Sequence, residues 1–160
     1  MSPTADELRK IVNDVLPLLQ GITQEEASAK LSPDKWSKIE ILGHLIDSAC
    51  NNQQKFVRTM AQPQGHFVGY AQIHLVASQN YALARREAVV QLWGAYNLHL
   101  AHVIANVDEA VLQHTITIEG VGPFTLEFIM KDYAEHLKHH LRQILPEANL
   151  ESSFQNIYGA

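Results

Sequence analysis

Apolar residues recur at helical spacing in four long stretches of this chain, and this pattern constrains the fold more than any other sequence feature. The predicted helices span about residues 6–20, 37–61, 83–107 and 125–145. Gly21 ends the first stretch and Pro146 ends the last, since proline cannot continue a helix. Ser37 and Glu40 form a capping-box pattern at the start of the second. Four amphipathic helices of this length predict a helical bundle.

The connections between these helices refine the prediction. A short helix is expected from Thr23 to about Leu31, and the alternation of residues 114–119 allows at most a small hairpin inside a loop. The connection between the second and third long helices is about twenty residues long, which permits a crossover. Residues 70–81 within it form either a short helix or an ordered loop. We therefore expect an all-α, four-helix bundle with a long crossover connection between the second and third helices.

One domain spanning residues 1–160 is expected, with a polar tail at 147–160 whose docking the pattern does not determine. The chain has 12 lysines and arginines against 17 aspartates and glutamates, a net charge of −5, which argues against binding to nucleic acid or to an anionic membrane. A single cysteine, Cys50, excludes a disulfide framework. Neither a signal peptide nor a membrane span is visible, so a soluble, cytoplasmic protein is expected.

Nine histidines are the unusual part of the composition, and two of them have metal-ligand spacing. His136 and His140 are four residues apart on the last predicted helix, so their imidazoles can reach one ion. Chance alone yields about 0.5 such pairs in a chain of this composition, so spacing by itself is weak evidence. Helical geometry places His140 about 60° and His136 about 100° from the centre of the apolar stripe, and His139 about 160° away. The first two therefore flank the core, and His139 is predicted to face water.

A zinc-like site needs a third protein ligand, and periodicity does not choose it. The candidates are His44 on the second long helix and His99 or His102 on the third. His44 shares a polar stripe that is either solvated surface or one wall of a polar cleft. The other members of that stripe are Glu40, Asp47, Asn51 and Lys55.

The segment from Trp36 to Ser48, together with residues 135–140, resembles the DinB-like superfamily, which includes the bacillithiol S-transferases and related thiol-dependent enzymes. The shared signature is a tryptophan before the second helix, a histidine in a Gly-His-Leu context, and a late His-x-x-x-His pair. The resemblance extends over about residues 31–145 and implies a four-helix bundle with a long crossover that forms a homodimer. It also implies a metal triad, carried here by His44, His136 and His140.

Three neutral imidazoles leave a divalent ion with an open coordination position, as catalytic sites require, and zinc or nickel is the expected ion. The resemblance implies an enzyme that transfers a low-molecular-weight thiol to an electrophile, with metal-assisted hydrolysis as the nearest variant. The alternative is a metal-binding dimeric bundle without a reaction, acting as a sensor, carrier or scaffold. Asp47 or Glu40 either orients a ligand imidazole, accepts a proton, or is a surface charge.

The remaining candidates are expected to be structural. Cys50 is predicted to be a small buried residue and His99 a partly buried packing residue. Three aromatic residues are predicted to lie in the core or in a pocket wall: Trp36, Trp93 and Tyr96. Two histidines are predicted to lie in ordinary loops: His66 and His74.

Overall fold

A computed structural model describes residues 2–158 of the chain, most of which lie in six α-helices. The helices are α1 (Pro3–Gly21), α2 (Gln24–Ser28), α3 (Lys38–Met60), α4 (Gln72–Ser78), α5 (Arg86–Ala105) and α6 (Leu126–Ile144). The strands are β1 (Gln64–Phe67), β2 (Thr115–Ile118) and β3 (Val121–Thr125). All four long helices lie close to the limits predicted from periodicity. The prediction of a mostly helical fold is confirmed.

The four long helices enclose one apolar core. Helix α1 packs against α5 and α6, and α3 packs against the same two helices. The largest fully buried side chains come from all four helices and include Leu8, Phe56, Trp93 and Met130. Burial of each such side chain contributes about 1.5–3 kcal/mol to the free energy of unfolding, so the core does not depend on a bound ion. None of the helices in residues 2–158 combines the length and the apolar run that crossing a bilayer requires.

A small three-stranded sheet corrects the expectation of a strictly all-α fold. The predicted hairpin exists, because β2 pairs antiparallel with β3, with Ile116 opposite Phe124. A third strand, β1, pairs in parallel with the other edge of β2 and places Gly65 opposite Ile116. The sequence did not indicate β1 because its four residues include a glycine and its partner lies about fifty positions further along the chain. The sheet joins the α3–α5 connection to the α5–α6 connection.

The first half of α3 is buried on every side. Every residue from 39 to 49 is buried, including Glu40, His44 and Asp47 of the polar stripe. This excludes the solvated-surface interpretation of that stripe in favour of a polar cleft. Gly43 is required here, because a Cβ on it would lie 2.2 Å from the Tyr81 ring, which packs directly on the helix backbone.

Helix α5 buries one face, on which Trp93 and Leu100 are fully buried, whereas Leu92 is 51% exposed. The face that is buried includes Gly94 and Asn97, which a count of large apolar residues overlooks. At Gly94 an added Cβ would lie 3.1 Å from the Leu16 side chain, so the contact between α1 and α5 is tight at this position. Asn97 is tolerated because its amide donates to the Trp93 carbonyl oxygen and accepts from the Tyr133 hydroxyl.

Candidate metal centre

Three histidines that are distant in the sequence lie side by side in the fold. His44 projects from α3, and His136 and His140 project from α6. One ring nitrogen from each lies within 4.8 Å of the other two, and this is the arrangement by which three side chains can hold a metal ion. The pair on α6 has ring centroids 4.6 Å apart, as expected for residues one helical turn apart.

One distance within this cluster matches that between two ligands on a common ion. The Nε2 atoms of His44 and His136 are 3.3 Å apart. Two nitrogen ligands, each about 2.0–2.1 Å from a tetrahedral ion, lie about 3.3–3.4 Å from each other. The donor set therefore fits a zinc-type ion, and three histidines leave a fourth position open for another ligand.

Neighbouring groups orient the two rings on α6. The Nδ1 atom of His140 donates to Oε1 of Gln143 at 3.1 Å, which leaves its Nε2 free to bind an ion. The Ser48 hydroxyl lies 3.4 Å from Nδ1 of His136, which orients that ring in the same way. The Trp36 ring packs on His44 with centroids 5.3 Å apart, so the predicted pocket-wall tryptophan forms one wall of the cluster.

Burial keeps all three imidazoles in the neutral form that binds metal. Desolvation, followed by the charge on His140, lowers the pKa of His44 from 6.5 to about 4. The pKa of His136 is lowered well below 6.5, mainly by desolvation and then by the charge of His140. Desolvation also lowers the pKa of His140, although its hydrogen bond to Gln143 opposes this. Little competition between protons and a metal ion is therefore expected near neutral pH.

We expect the metal-free protein to lose stability as the pH falls from about 6.5 to about 4. In this range the unfolded chain takes up a proton at His44 while the folded chain does not, so acid favours unfolding. For this residue alone the loss of unfolding free energy by pH 4 is about 3 kcal/mol. Denaturant unfolding of chelator-treated protein at several pH values measures it. A His44→Gln variant should show a shallower pH dependence, and an identical dependence in both proteins would contradict the assignment.

The chain's C-terminal tail lies over one side of the cluster. The Phe154 ring contacts His136 and His139, with centroid separations of 5.0 and 5.5 Å. The Ser152 hydroxyl donates to the Glu135 carbonyl oxygen at 2.8 Å and anchors the tail to α6. His139 is consequently half-buried beneath Phe154, which corrects the prediction that it faces water. It does not belong to the group of three that can hold an ion.

The other predicted candidates lie away from the cluster. His99 and His102 are exposed on α5 and stack on each other, with centroids 6.5 Å apart. His99 forms a hydrogen bond with Gln53 at 3.1 Å. Because its side chain is exposed, the prediction that His99 is a partly buried packing residue is wrong. Cys50 is also exposed, contrary to prediction, because it follows the last residue of the buried part of α3.

The two buried carboxylates on α3 have structural partners and do not orient His44. Glu40 accepts hydrogen bonds from the backbone and hydroxyl groups of Ser37, both at 2.8 Å, and pairs with Lys30. Asp47 accepts from the Gln79 amide at 2.7 Å and from the Tyr81 hydroxyl at 3.0 Å. These bonds hold the start of α3 and the segment after α4 in place, so they position the cluster indirectly.

A cavity of about 910 Å³ adjoins the cluster. His136 and His140 line one part of it, and α3, α6, the segment after β1 and the tail supply its walls. Its polar lining includes Lys55, Tyr70 and Asp132. The volume is at the upper end of the range typical of small-molecule sites, so a substrate can bind beside the three imidazoles.

Sequence reasoning missed several of these groups. Lys55 was grouped with His44 on the polar stripe, but periodicity could not show that the stripe faces a cavity. The roles of Phe154 and Gln143 depend on how the tail and α6 fold onto the cluster. A usable signal existed only for Ser48, which is four residues after His44 and so lies on the same face of α3.

Comparison with known families adds one finding. A family model described as the DinB superfamily matches residues 7–144, which is most of the chain. The matched part includes α3, α5, α6, most of α1 and all three clustered histidines. Neither the comparison with curated proteins nor that with solved structures gave a match.

Proposed function

The chain belongs to the DinB superfamily, and we propose that it is a metal-dependent enzyme that transfers a low-molecular-weight thiol to an electrophilic small molecule. The observation that carries the proposal is a cluster of three neutral imidazoles, two of which, His136 and His140, line a cavity of about 910 Å³. A cavity of this size gives a substrate room beside the ion, which a purely structural metal site does not require. Zinc and nickel are the ions we propose, since imidazole ligands suit both.

When bound, the ion would supply positive charge and an open position at which a thiol is held as the more nucleophilic thiolate. The protein's contribution is to hold His44, His136 and His140 in the neutral, oriented state described above. Phe154 and Trp36 cover two sides of the cluster, which limits the access of competing water to it. The cavity then orients the electrophile towards the sulfur.

The proposed reaction is a substitution at the electrophile. The thiol loses its proton to solvent, its sulfur forms a bond to the electrophilic carbon, and the leaving group departs with the electrons of the bond that breaks. Hydrolysis differs only in the nucleophile, because a hydroxide ion would then take the place of the thiolate. The identity of the nucleophile is therefore the decisive question.

A panel of thiols with a chromogenic electrophile tests this proposal. Zinc- or nickel-loaded protein should accelerate formation of the thioether, and chelation or His140→Ala should abolish the acceleration. His139→Ala is the matched control for metal binding, because that side chain is adjacent but does not belong to the cluster. Since it also lines the cavity, its metal content and not its turnover is compared with that of wild type. Release of the leaving group without consumption of thiol would indicate hydrolysis. Stoichiometric metal binding with no turnover in either assay would favour the alternative of a sensor, carrier or scaffold.

Family membership also supports two finer proposals. We propose that the four long helices form the four-helix bundle with a long crossover between α3 and α5, which their mutual packing supports. We further propose that two copies of the chain associate as a homodimer.

A further inference from the structure

A largely buried lysine whose ammonium group has no counter-ion among the described residues lines the cavity. Lys55 on α3 is only 7% exposed, and the cavity wall includes it. Within residues 2–158, no carboxylate oxygen lies within 4.0 Å of its Nζ atom and no hydrogen bond to it is formed. Its nearest favourable contact is the face of the Tyr70 ring, whose centroid is 5.8 Å from Nζ.

Burial of an unpaired charge is costly, and proteins rarely retain one unless it binds something. The two carboxylates that line the same cavity do not pair with Lys55, since no oxygen of either lies within 4.0 Å of its Nζ atom, and each has another partner. Asp132 accepts a hydrogen bond from the Tyr158 hydroxyl, and Glu119 accepts one from the Gly69 backbone at 3.1 Å. Lys55 is therefore available to an anion that enters the cavity.

Lys55 lies on the same side of α3 as the group that contacts the cluster. Ser48, which contacts His136, and Lys55 are seven residues apart on α3, or about two helical turns, so they share one face of the helix. Both line the same cavity as His136, so one small molecule in it can contact the ammonium group and the histidine cluster.

We infer that Lys55 binds a carboxylate group of a small molecule that also reaches the histidine cluster. This rests on the proposed function in one respect: if the ligand is the thiol substrate, that thiol is an acid. The carboxylate contact itself requires neither the metal ion nor a reaction.

Titration calorimetry on chelator-treated, full-length protein tests the contact without metal or turnover. The probes are S-methylglutathione, which has two carboxylates and no free thiol, and its diethyl ester, in which both are masked. We expect wild-type protein to bind the acid at least tenfold more tightly than the ester, since charge-assisted hydrogen bonds are lost on esterification. Lys55→Met should remove this preference, and Lys55→Arg should keep most of it.

The matched control is Lys10→Met, which removes the same charge from an exposed position on α1. It should retain the preference for the acid. Lys55→Met should melt no lower than wild type, because it removes an unpaired buried charge, so a loss of binding will not reflect unfolding. Equal binding of acid and ester by wild type, or an unchanged preference in Lys55→Met, would overturn the inference. Neither result would contradict the proposed function, because metal-dependent turnover is measured in a separate experiment.

Discussion

Replacing His140 by alanine is expected to lower the protein's affinity for zinc or nickel by more than a hundredfold. The change removes one of three ligand imidazoles. Loss of a group that only orients a ligand typically lowers metal affinity about 10- to 100-fold, so loss of a ligand itself should lower it further. His44→Ala and His136→Ala should have effects of the same order, because one ring nitrogen of each lies within 4.8 Å of the others. Competition with a metallochromic chelator measures the three affinities.

The neighbouring His139 provides the control for this experiment. Its ring lies 5.0 Å from that of His140 and beneath Phe154, yet it is outside the group of three, so His139→Ala should change metal affinity little. Loss of metal in His139→Ala with retention in His140→Ala would show that His139, and not His140, is the ligand. Full retention of metal in His44→Ala would show that His44 is not a ligand and would contradict the assignment of three histidines to one ion.

The second large effect is on stability. The metal-free protein should fold, because its apolar core is complete without an ion, unlike that of a zinc finger. A bound ion should nevertheless stabilise it, since three aligned imidazoles exist only in the folded chain. At a free metal concentration a thousand times the dissociation constant, the gain in unfolding free energy is about 4 kcal/mol. Thermal melting with and without added zinc or nickel measures this gain.

Two results would contradict this expectation. Metal-free protein that is unfolded at neutral pH would mean that the ion is part of the core. Equal melting temperatures with and without saturating metal would mean that no ion binds preferentially to the folded state. A variant that lacks His140 should melt at one temperature under both conditions, which separates binding at the cluster from non-specific effects of the ion.

The helical part of the fold was predictable because each long helix buries one face, and that requirement leaves a regular spacing of apolar residues. Strand β1 left no such trace, since four residues that include a glycine are held in place by a partner distant in the sequence. On α5 the buried face includes Gly94 and Asn97 beside Trp93 and Leu100, so a count of large apolar residues locates only part of it.

The pair on α6 was predictable from spacing and facing, but the choice of His44 was not. Helical geometry grouped His44 with charged residues, and whether such a stripe faces water or a neighbouring helix depends on packing. The resemblance to a known family selected it, and the structure then placed it with the pair. Lys55 and Phe154 remained undetected because one lines a cavity and the other belongs to a tail without periodicity.

The central claim is that these three histidines hold one divalent ion, and the metal content of the protein tests it most directly. Wild-type protein, purified without chelator and dialysed against metal-free buffer, would be analysed by elemental mass spectrometry beside His140→Ala and His139→Ala. We predict about one zinc or nickel ion per chain in wild type and in His139→Ala, and almost none in His140→Ala. Wild-type protein that retains no metal, even after incubation with both ions, would contradict the account.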